Sequence, residues 1–299
     1  MDFRALETFL WIARLGGFRL AADRLNTTQP SVSARIRGLE DELGVRLFER
    51  NARAVALTPK GRDLIPYAER ILALKGEMET KIGDPAAIQG TIVLGVVETI
   101  VHTWLPHLIE RLTHTYPALS FELDIDITVN LLRRLTAREI DIAFLMGPVA
   151  SPEIENLPLG TYPLVWLGSP RLVLPHAALQ LEELARIPVI TFPRSSRPHM
   201  DIETLFRAAS LRPRIHNSSS IATIIRMAVD GIGVCALPRN VVQRELEAGE
   251  LVPISVAVDL PALTFTASFP HASDTSLPRA VCDLAYRTAN EHAAAKLNE

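Results

Sequence analysis

Apolar positions follow a helical period from the N-terminus to about Ile82, then change from about Thr91 to short β-type runs alternating with helical ones. Residues 2–16 put Phe3, Leu6, Phe9, Leu10 and Ala13 along one side, which predicts a first helix. Between Phe18 and Phe48 the pattern divides. Ala21, Ala22 and Leu25 share one face, and Val32, Ile36, Leu39 and Leu43 recur at i, i+4, i+7 and i+11 on another. Asn26-Thr27-Thr28-Gln29-Pro30 lies between them, a polar turn with hydroxyl caps and a proline suited to a helix start. This predicts a helix-turn-helix whose second helix opens on Gln29, Pro30, Ser31 and Ser33. Residues 50–57 then read as a short strand pair, a wing, with Arg50 and Arg53 at its tip.

Thr58-Pro59 repeats the start signal and opens a long helix to about Ile82. Leu57, Leu64, Ile71 and Met78 are spaced by seven, as in a seam against another helix, with Lys75 interrupting the stripe and Pro66 inside it. The alternative is a helix packed on its own domain. Gly83-Asp84-Pro85 reads as a hinge. Beyond it, TIVLGVV, FELDIDI and DIAFLM predict strands, with helices over 101–115 and 130–137, which makes a parallel α/β unit. A second unit comes after it: YPLVWLG, VITF, a helix over about 199–209, a strand near 214–216, a helix over 221–229 and a strand over 232–237. Residues 251–254, the strand LTFTASF and a last helix over 278–296 complete the chain.

Charge changes the picture. Residues 1–65 carry 11 Arg or Lys against 8 Asp or Glu, whereas the remainder carries 20 against 26, a basic head on an acidic body. Arginine supplies nearly all of the head's positive charge, and its planar fork suits phosphate and guanine. Glutamine can read base edges and serine hydroxyls can bind phosphates, so the candidate DNA-binding residues are Gln29, Pro30, Ser31, Ser33, Arg35, Arg50 and Arg53. An ordinary helical hairpin is the alternative for the local pattern.

At 299 residues and 48% hydrophobic, the chain has room for two or three units. Its apolar runs fall short of the roughly 18–20 residues a membrane span needs, and no signal-peptide pattern opens it, so a cytoplasmic location is expected. Cys235 and Cys282 sit in apolar segments without metal spacing and read as small buried hydrophobes. GxSxG, P-loop, GxGxxG, HExxH and CxxC motifs are missing, and His102 and His107 are not spaced as ligands on one helical face. An enzyme is therefore not expected, nor a cofactor or metal. A transport-type binding protein would need export.

The head residues resemble those of LysR-type transcriptional regulators. The match runs through Phe9, Ala13, Gly16, Phe18, Ala21-Ala22, Leu25, Gln29-Pro30, Val32-Ser33, Ile36, Leu39-Glu40, Leu43-Gly44, Leu47-Phe48, Arg50, Leu57-Thr58 and Gly61. Gly17 and Arg19 depart from it where the family favours serine and threonine, and glycine is the weaker N-cap. Further on, Leu94-Gly95, Leu105-Pro106, Tyr116-Pro117, 140–143, 231–233 and Leu237-Pro238 match too. The resemblance implies an α/β protein: an N-terminal winged helix-turn-helix, a long linker helix and a two-lobed α/β effector domain like the type 2 periplasmic binding proteins. The expected divisions are 1–58 for the DNA-binding domain, 59–89 for linker and hinge, 90–161 with 266–299 for lobe I, and 162–265 for lobe II. Expected partners are double-stranded promoter DNA, a small-molecule effector, RNA polymerase, and further copies of the chain. The copies would form a homodimer through the linker helix and a homotetramer beyond it.

Ligands of open α/β sheets sit beyond the C-terminal strand ends. That rule selects Glu98, Thr99 and Ile100, then Thr128, then Met146 and Pro148, and in the second lobe Ser195, Ser196 and Arg197. The resemblance points to the same loops, with Thr99 and Thr128 at hydroxyl-bearing positions that contact effectors in the family. Helix capping without a ligand is the alternative for each hydroxyl. Arg194, Arg197 and His199 favour a small carboxylate, unless the arginines point to water; Glu98 would repel a carboxylate or recruit an amine.

Overall fold

In the computed structural model, which describes residues 2–49, 55–82, 88–172, 177–270 and 276–295, helix α1 spans Phe3–Leu15. It starts at Asp2, whose carboxylate accepts the Arg4 amide hydrogen at 3.1 Å, and stops at Gly16 in the left-handed conformation, φ 69°. Helix α2 (Phe18–Arg24) begins at Gly17 with no side-chain cap, the weaker start that the departure from serine implied. Helix α3 (Gln29–Leu43) is capped by Thr28, whose hydroxyl accepts from the Ser31 amide. Leu6, Phe9, Ile12, Ala21, Ala22, Val32, Ile36 and Leu39 are buried together, and the Phe48 ring stands 5.6 Å from Phe9 and 5.5 Å from Phe18. Each large side chain in such a core contributes about 1.5–3 kcal/mol of burial.

A buried carboxylate fixes the path of the chain after α3. Glu40 accepts from the Leu47 amide at 2.7 Å and the Phe48 amide at 3.3 Å, with the Arg46 guanidinium 3.5 Å away. Phe48 and Leu57 then form an antiparallel bridge, and the Glu49 amide donates to the Ala56 carbonyl. This is the base of a strand pair. Its tip, with Arg50 and Arg53, lies outside the described residues.

Helix α4 spans Pro59–Ile82, and the Thr58 hydroxyl accepts from the Gly61 amide at 2.9 Å. Gly61 lies so close to the Leu47 carbonyl that a Cβ there would collide with it. The expected seven-residue stripe does not form one seam. Leu57, Leu64 and Ile71 turn into the head core beside Ala68 and Leu72, and Lys75 lies over the Phe3 ring. Tyr67, Leu74, Met78 and Ile82 are instead more than half exposed, at i, i+7, i+11 and i+15.

Met1–Pro85 with His271–Leu277 make one compact unit, and Ala86–Pro270 with Pro278–Glu299 make the second. Among the described residues the second contains strands β1 (Gly90–Val96), β2 (Leu119–Ile125), β3 (Ile142–Met146), β4 (Ile154–Tyr162), β5 (Leu164–Gly168), β6 (Val189–Thr191), β7 (Ile215–Asn217), β8 (Val234–Pro238), β9 (Val252–Pro253) and β10 (Leu263–Pro270). Its helices are α5 (Glu98–Val101), α6 (Leu105–Thr115), α7 (Thr128–Thr136), α8 (Leu181–Leu184), α9 (Arg197–Ala208), α10 (Ile221–Val229), α11 (Gln243–Glu247) and α12 (Ser276–Ala295).

Two five-stranded sheets result, ordered β2-β1-β3-β10-β4 and β7-β6-β8-β5-β9. In the first, β1 runs parallel to β2 and β3, and β10 returns antiparallel against β3 and β4. In the second, β6 runs parallel to β7 and β8, and β5 is antiparallel to β8 and β9. Helix α7 packs Leu131 and Leu135 onto the first sheet, and α10 packs Ile221, Ile224 and Ile225 onto the second.

Two sequence expectations change here. The helix expected over 101–115 is broken into α5 and α6 by a turn at 102–104. Strand β4 was not legible, because Pro158 and Gly160 interrupt it; it tolerates them as an edge strand with a register shift opposite Phe265 and Thr266. Cys235 and Cys282 are fully buried, as their apolar surroundings predict, and burial pushes the Cys235 thiol up to about 12.

Candidate functional site

The first turn of α3 presents Gln29 and Pro30 to solvent, and helical spacing puts Pro30, Ser33 and Arg37 on one outer face. Ser31 is engaged with its own cap, its hydroxyl 2.9 Å from that of Thr28. Arg35 does not join this face. It flanks the buried stripe of Val32 and Ile36, and its guanidinium reaches back to the Thr8 hydroxyl of α1 at 3.4 Å. Arg37 is exposed, with Nε donating to the Ser33 carbonyl at 3.3 Å. The sequence expectation omits it, although its i+7 relation to Pro30 signals the outer face.

In the second unit a cavity of about 320 Å³ opens between the two sheets, at the C-terminal ends of their parallel strands. The first sheet contributes Glu98, Thr99, Asp126, Thr128, Met146 and, from β10, Leu263 and Phe265; the second contributes Phe192, Pro193, Ser196, Pro198 and Ser219. Five of the expected residues meet here: Glu98, Thr99, Thr128, Met146 and Ser196. Four do not. Ile100 faces the core at 1% exposure, Pro148 follows a cis peptide beyond the strand end, and Ser195 is exposed outside the lining. Arg197 is also exposed, and its guanidinium pairs with Asp201 one turn along α9. Asp126, Ser219 and the β10 residues are additions. Ser219 follows β7, so the strand-end rule would have found it, whereas β10 enters the first sheet's side of the cleft from more than 110 residues beyond its neighbour β3.

Most polar groups in the cleft already hold backbone. The Glu98 carboxylate crosses between the sheets and accepts the Ile221 amide hydrogen at 2.6 Å, at the start of α10; its other oxygen stands 3.6 Å from His102 Nε2. Asp126 Oδ1 accepts from the Ile127 amide at 2.7 Å and from Asn130 Nδ2 at 2.9 Å, at the start of α7. Thr128 Oγ1 accepts from the Met146 amide at 3.2 Å. Ser196 Oγ donates to the Pro193 carbonyl at 2.6 Å and caps α9. Thr99 is 5% exposed, lines the cavity, and its hydroxyl has no partner among the described residues.

No group of three or more His, Cys, Asp or Glu among the described residues is arranged to hold a metal, and no described helix is long and apolar enough to cross a membrane. A helix-turn-helix head with an exposed polar face, joined in one chain to paired α/β sheets with a ligand-sized cavity, defines a ligand-responsive DNA-binding protein. Comparison with known proteins gives the family. Residues 3–62 match the bacterial regulatory helix-turn-helix of the LysR family, and residues 85–288 match the LysR substrate-binding domain. The regulator CzcR of Bacillus cereus is 30% identical over 252 residues, 84% of this chain and 85% of its own. The uncharacterized regulator YeiE of Escherichia coli is 31% identical over 270 residues, 89% of each chain. A full-length OxyR variant from Pseudomonas aeruginosa superposes with a TM-score of 0.63 at 25% identity, covering 97% of this chain and 94% of that one. The chain belongs to the LysR family. It is a transcriptional regulator, not an enzyme, with a helix-turn-helix head and an effector-binding domain.

Proposed function

We propose that α3 docks its N-terminal turn in the major groove of operator DNA, that Gln29 reads base edges, and that a small molecule bound between the two sheets controls the outcome. The outer face of exposed Gln29, Pro30 and Arg37 with half-buried Ser33 carries the first part of this reading, because it turns these side chains to the solvent side of α3. Ser31 supports the turn through Thr28, Arg35 ties α3 to α1, and Arg50 and Arg53 of the wing supply phosphate contacts. The cavity supports the second part, with Thr99, Thr128 and Ser196 as hydroxyls facing a ligand. Residues 1–58, 59–89, 90–161 with 266–299, and 162–265 serve as head, linker, first lobe and second lobe. Tyr67, Leu74, Met78 and Ile82 leave a wet apolar stripe that a second copy would cover, which pairs two heads for the two half-sites of an operator. RNA polymerase is the downstream partner, in the cytoplasm.

The test is a binding-site selection with Gln29→Ala. Base preference should relax by roughly 1–3 kcal/mol at one position per half-site. A variant selecting the same sequences as the wild type would remove Gln29 from base readout.

A further inference from the structure

Helix starts bind anions through unpaired N–H groups and the positive end of the helix dipole. At this cleft several of those groups are already taken. Glu98 occupies the first amide of α10, and Ser220 caps the Thr223 amide behind it. Asp126 occupies the amide just ahead of α7. At α9 the second residue, Pro198, has no N–H, and Ser196 accepts from His199. The chain thus sets carboxylates of its own beside the starts of α10 and α7.

Among the described lining residues there are two carboxylates and no lysine, arginine or histidine. Arg194 and Arg197, which favoured a carboxylate ligand in the sequence, are exposed and lie outside the lining. The rest of the wall is mostly apolar, with Phe192, Phe265, Met146, Ile125 and Leu263 around the buried Thr99 hydroxyl. We propose that the ligand of this cleft is an amine carrying a positive charge on an apolar body, a reading that rests on the cleft being the effector site. The ammonium group meets Glu98 and Asp126, the body lies against Phe192 and Phe265, and Thr99 takes a hydrogen bond. An anion entering the same space would face two like charges and no cation among the described lining residues.

Three probes with one ring and three charges test this on the full-length protein by calorimetric titration: benzylamine, benzyl alcohol and benzoate. Benzylamine should bind at least about tenfold more tightly than benzoate, and Asp126→Asn or Glu98→Gln should erase most of that advantage. Both amides keep the acceptor oxygen that holds the Ile127 or Ile221 N–H, and thermal melts confirm that the variants fold. Benzyl alcohol should bind the wild type and both variants alike. Benzoate binding as tightly as benzylamine overturns the proposal; if Thr99→Val then weakens benzoate, the cleft still stands as the effector site and only the ligand class falls. Benzylamine binding that ignores Asp126→Asn, Glu98→Gln and Thr99→Val alike overturns both. A wild type that gives no heat with benzylamine overturns the amine class.

Discussion

Two sheets of the same strand order, β2-β1-β3-β10-β4 and β7-β6-β8-β5-β9, face one cavity with different chemistry. In each, a parallel trio ends at the cleft and one antiparallel strand returns beside it. From these equivalent positions the first sheet delivers Glu98 and Asp126, and the second delivers Pro193, Ser196 and Ser219. Backbone topology decides where a side chain enters, while the residue type at that point decides what it attracts. A repeated architecture can thus carry an asymmetric electrostatic site.

The interiors differ as well, and the largest expected effect lies there. Trp104, fully buried beside the first sheet, donates Nε1–H to the Tyr162 hydroxyl at 3.0 Å and packs edge-on against Phe144. Trp166, buried on the second sheet, has an Nε1–H without a partner among the described residues. Trp104→Phe strands a buried hydroxyl, whereas Trp166→Phe removes a donor that was already unpaired. The first should cost about 1–3 kcal/mol more than the second in urea unfolding. Equal costs would mean that the two cores treat their indoles alike, and the contrast would fail.

At the cleft the contrast is between a charged acceptor that reaches across and a neutral one that stays local. Glu98→Ala deprives the Ile221 amide of a charge-assisted bond and should cost about 1.5–3 kcal/mol, since the side chain is only 21% exposed. Ser196→Ala removes an ordinary N-cap, worth about 1 kcal/mol. Denaturant midpoints for the two variants rank them directly. A larger loss for Ser196→Ala would show that the bond between sheets contributes little to stability.

How much of this could be read from the sequence depends on the range of the interactions. The head was legible almost throughout because its signals are local: the Thr28 cap, the 3.6-residue stripe of Val32, Ile36 and Leu39, and the glycine after α1. Arg35 has a contact that its sequence neighbours did not signal: its guanidinium stands 3.4 Å from the Thr8 hydroxyl of α1, because residues 27 apart meet only in the fold. The spacing of Leu57, Leu64 and Ile71 revealed an apolar stripe without revealing that α1 and its neighbours cover it. In the cleft, strand ends located Glu98, Thr99, Thr128 and Met146. They could not reveal that Glu98 is engaged with Ile221, or that Leu263 and Phe265 close the wall, because both depend on contacts over a hundred residues apart.

The smallest effect concerns a buried histidine in the first turn of α9. His199 is 5% exposed, and its Nδ1 lies 2.8 Å from Asn217 Nδ2, which also donates to the Phe192 carbonyl at 3.0 Å. That geometry makes Nδ1 an acceptor, so a proton added there would oppose a donor with a donor. Burial lowers the pKa of His199 from its ordinary 6.5, Glu203 raises it and Arg194 lowers it, with the net shift downward. Below about 6.5 the unfolded chain therefore takes up a proton that the folded chain refuses, and stability falls with pH until the depressed folded value is reached. Melting temperatures measured from neutral to mildly acidic pH should decline, and His199→Gln should remove part of that decline. If the variant and the wild type decline in parallel, the acid sensitivity belongs to other groups and His199 is protonated in the fold as readily as in the unfolded chain.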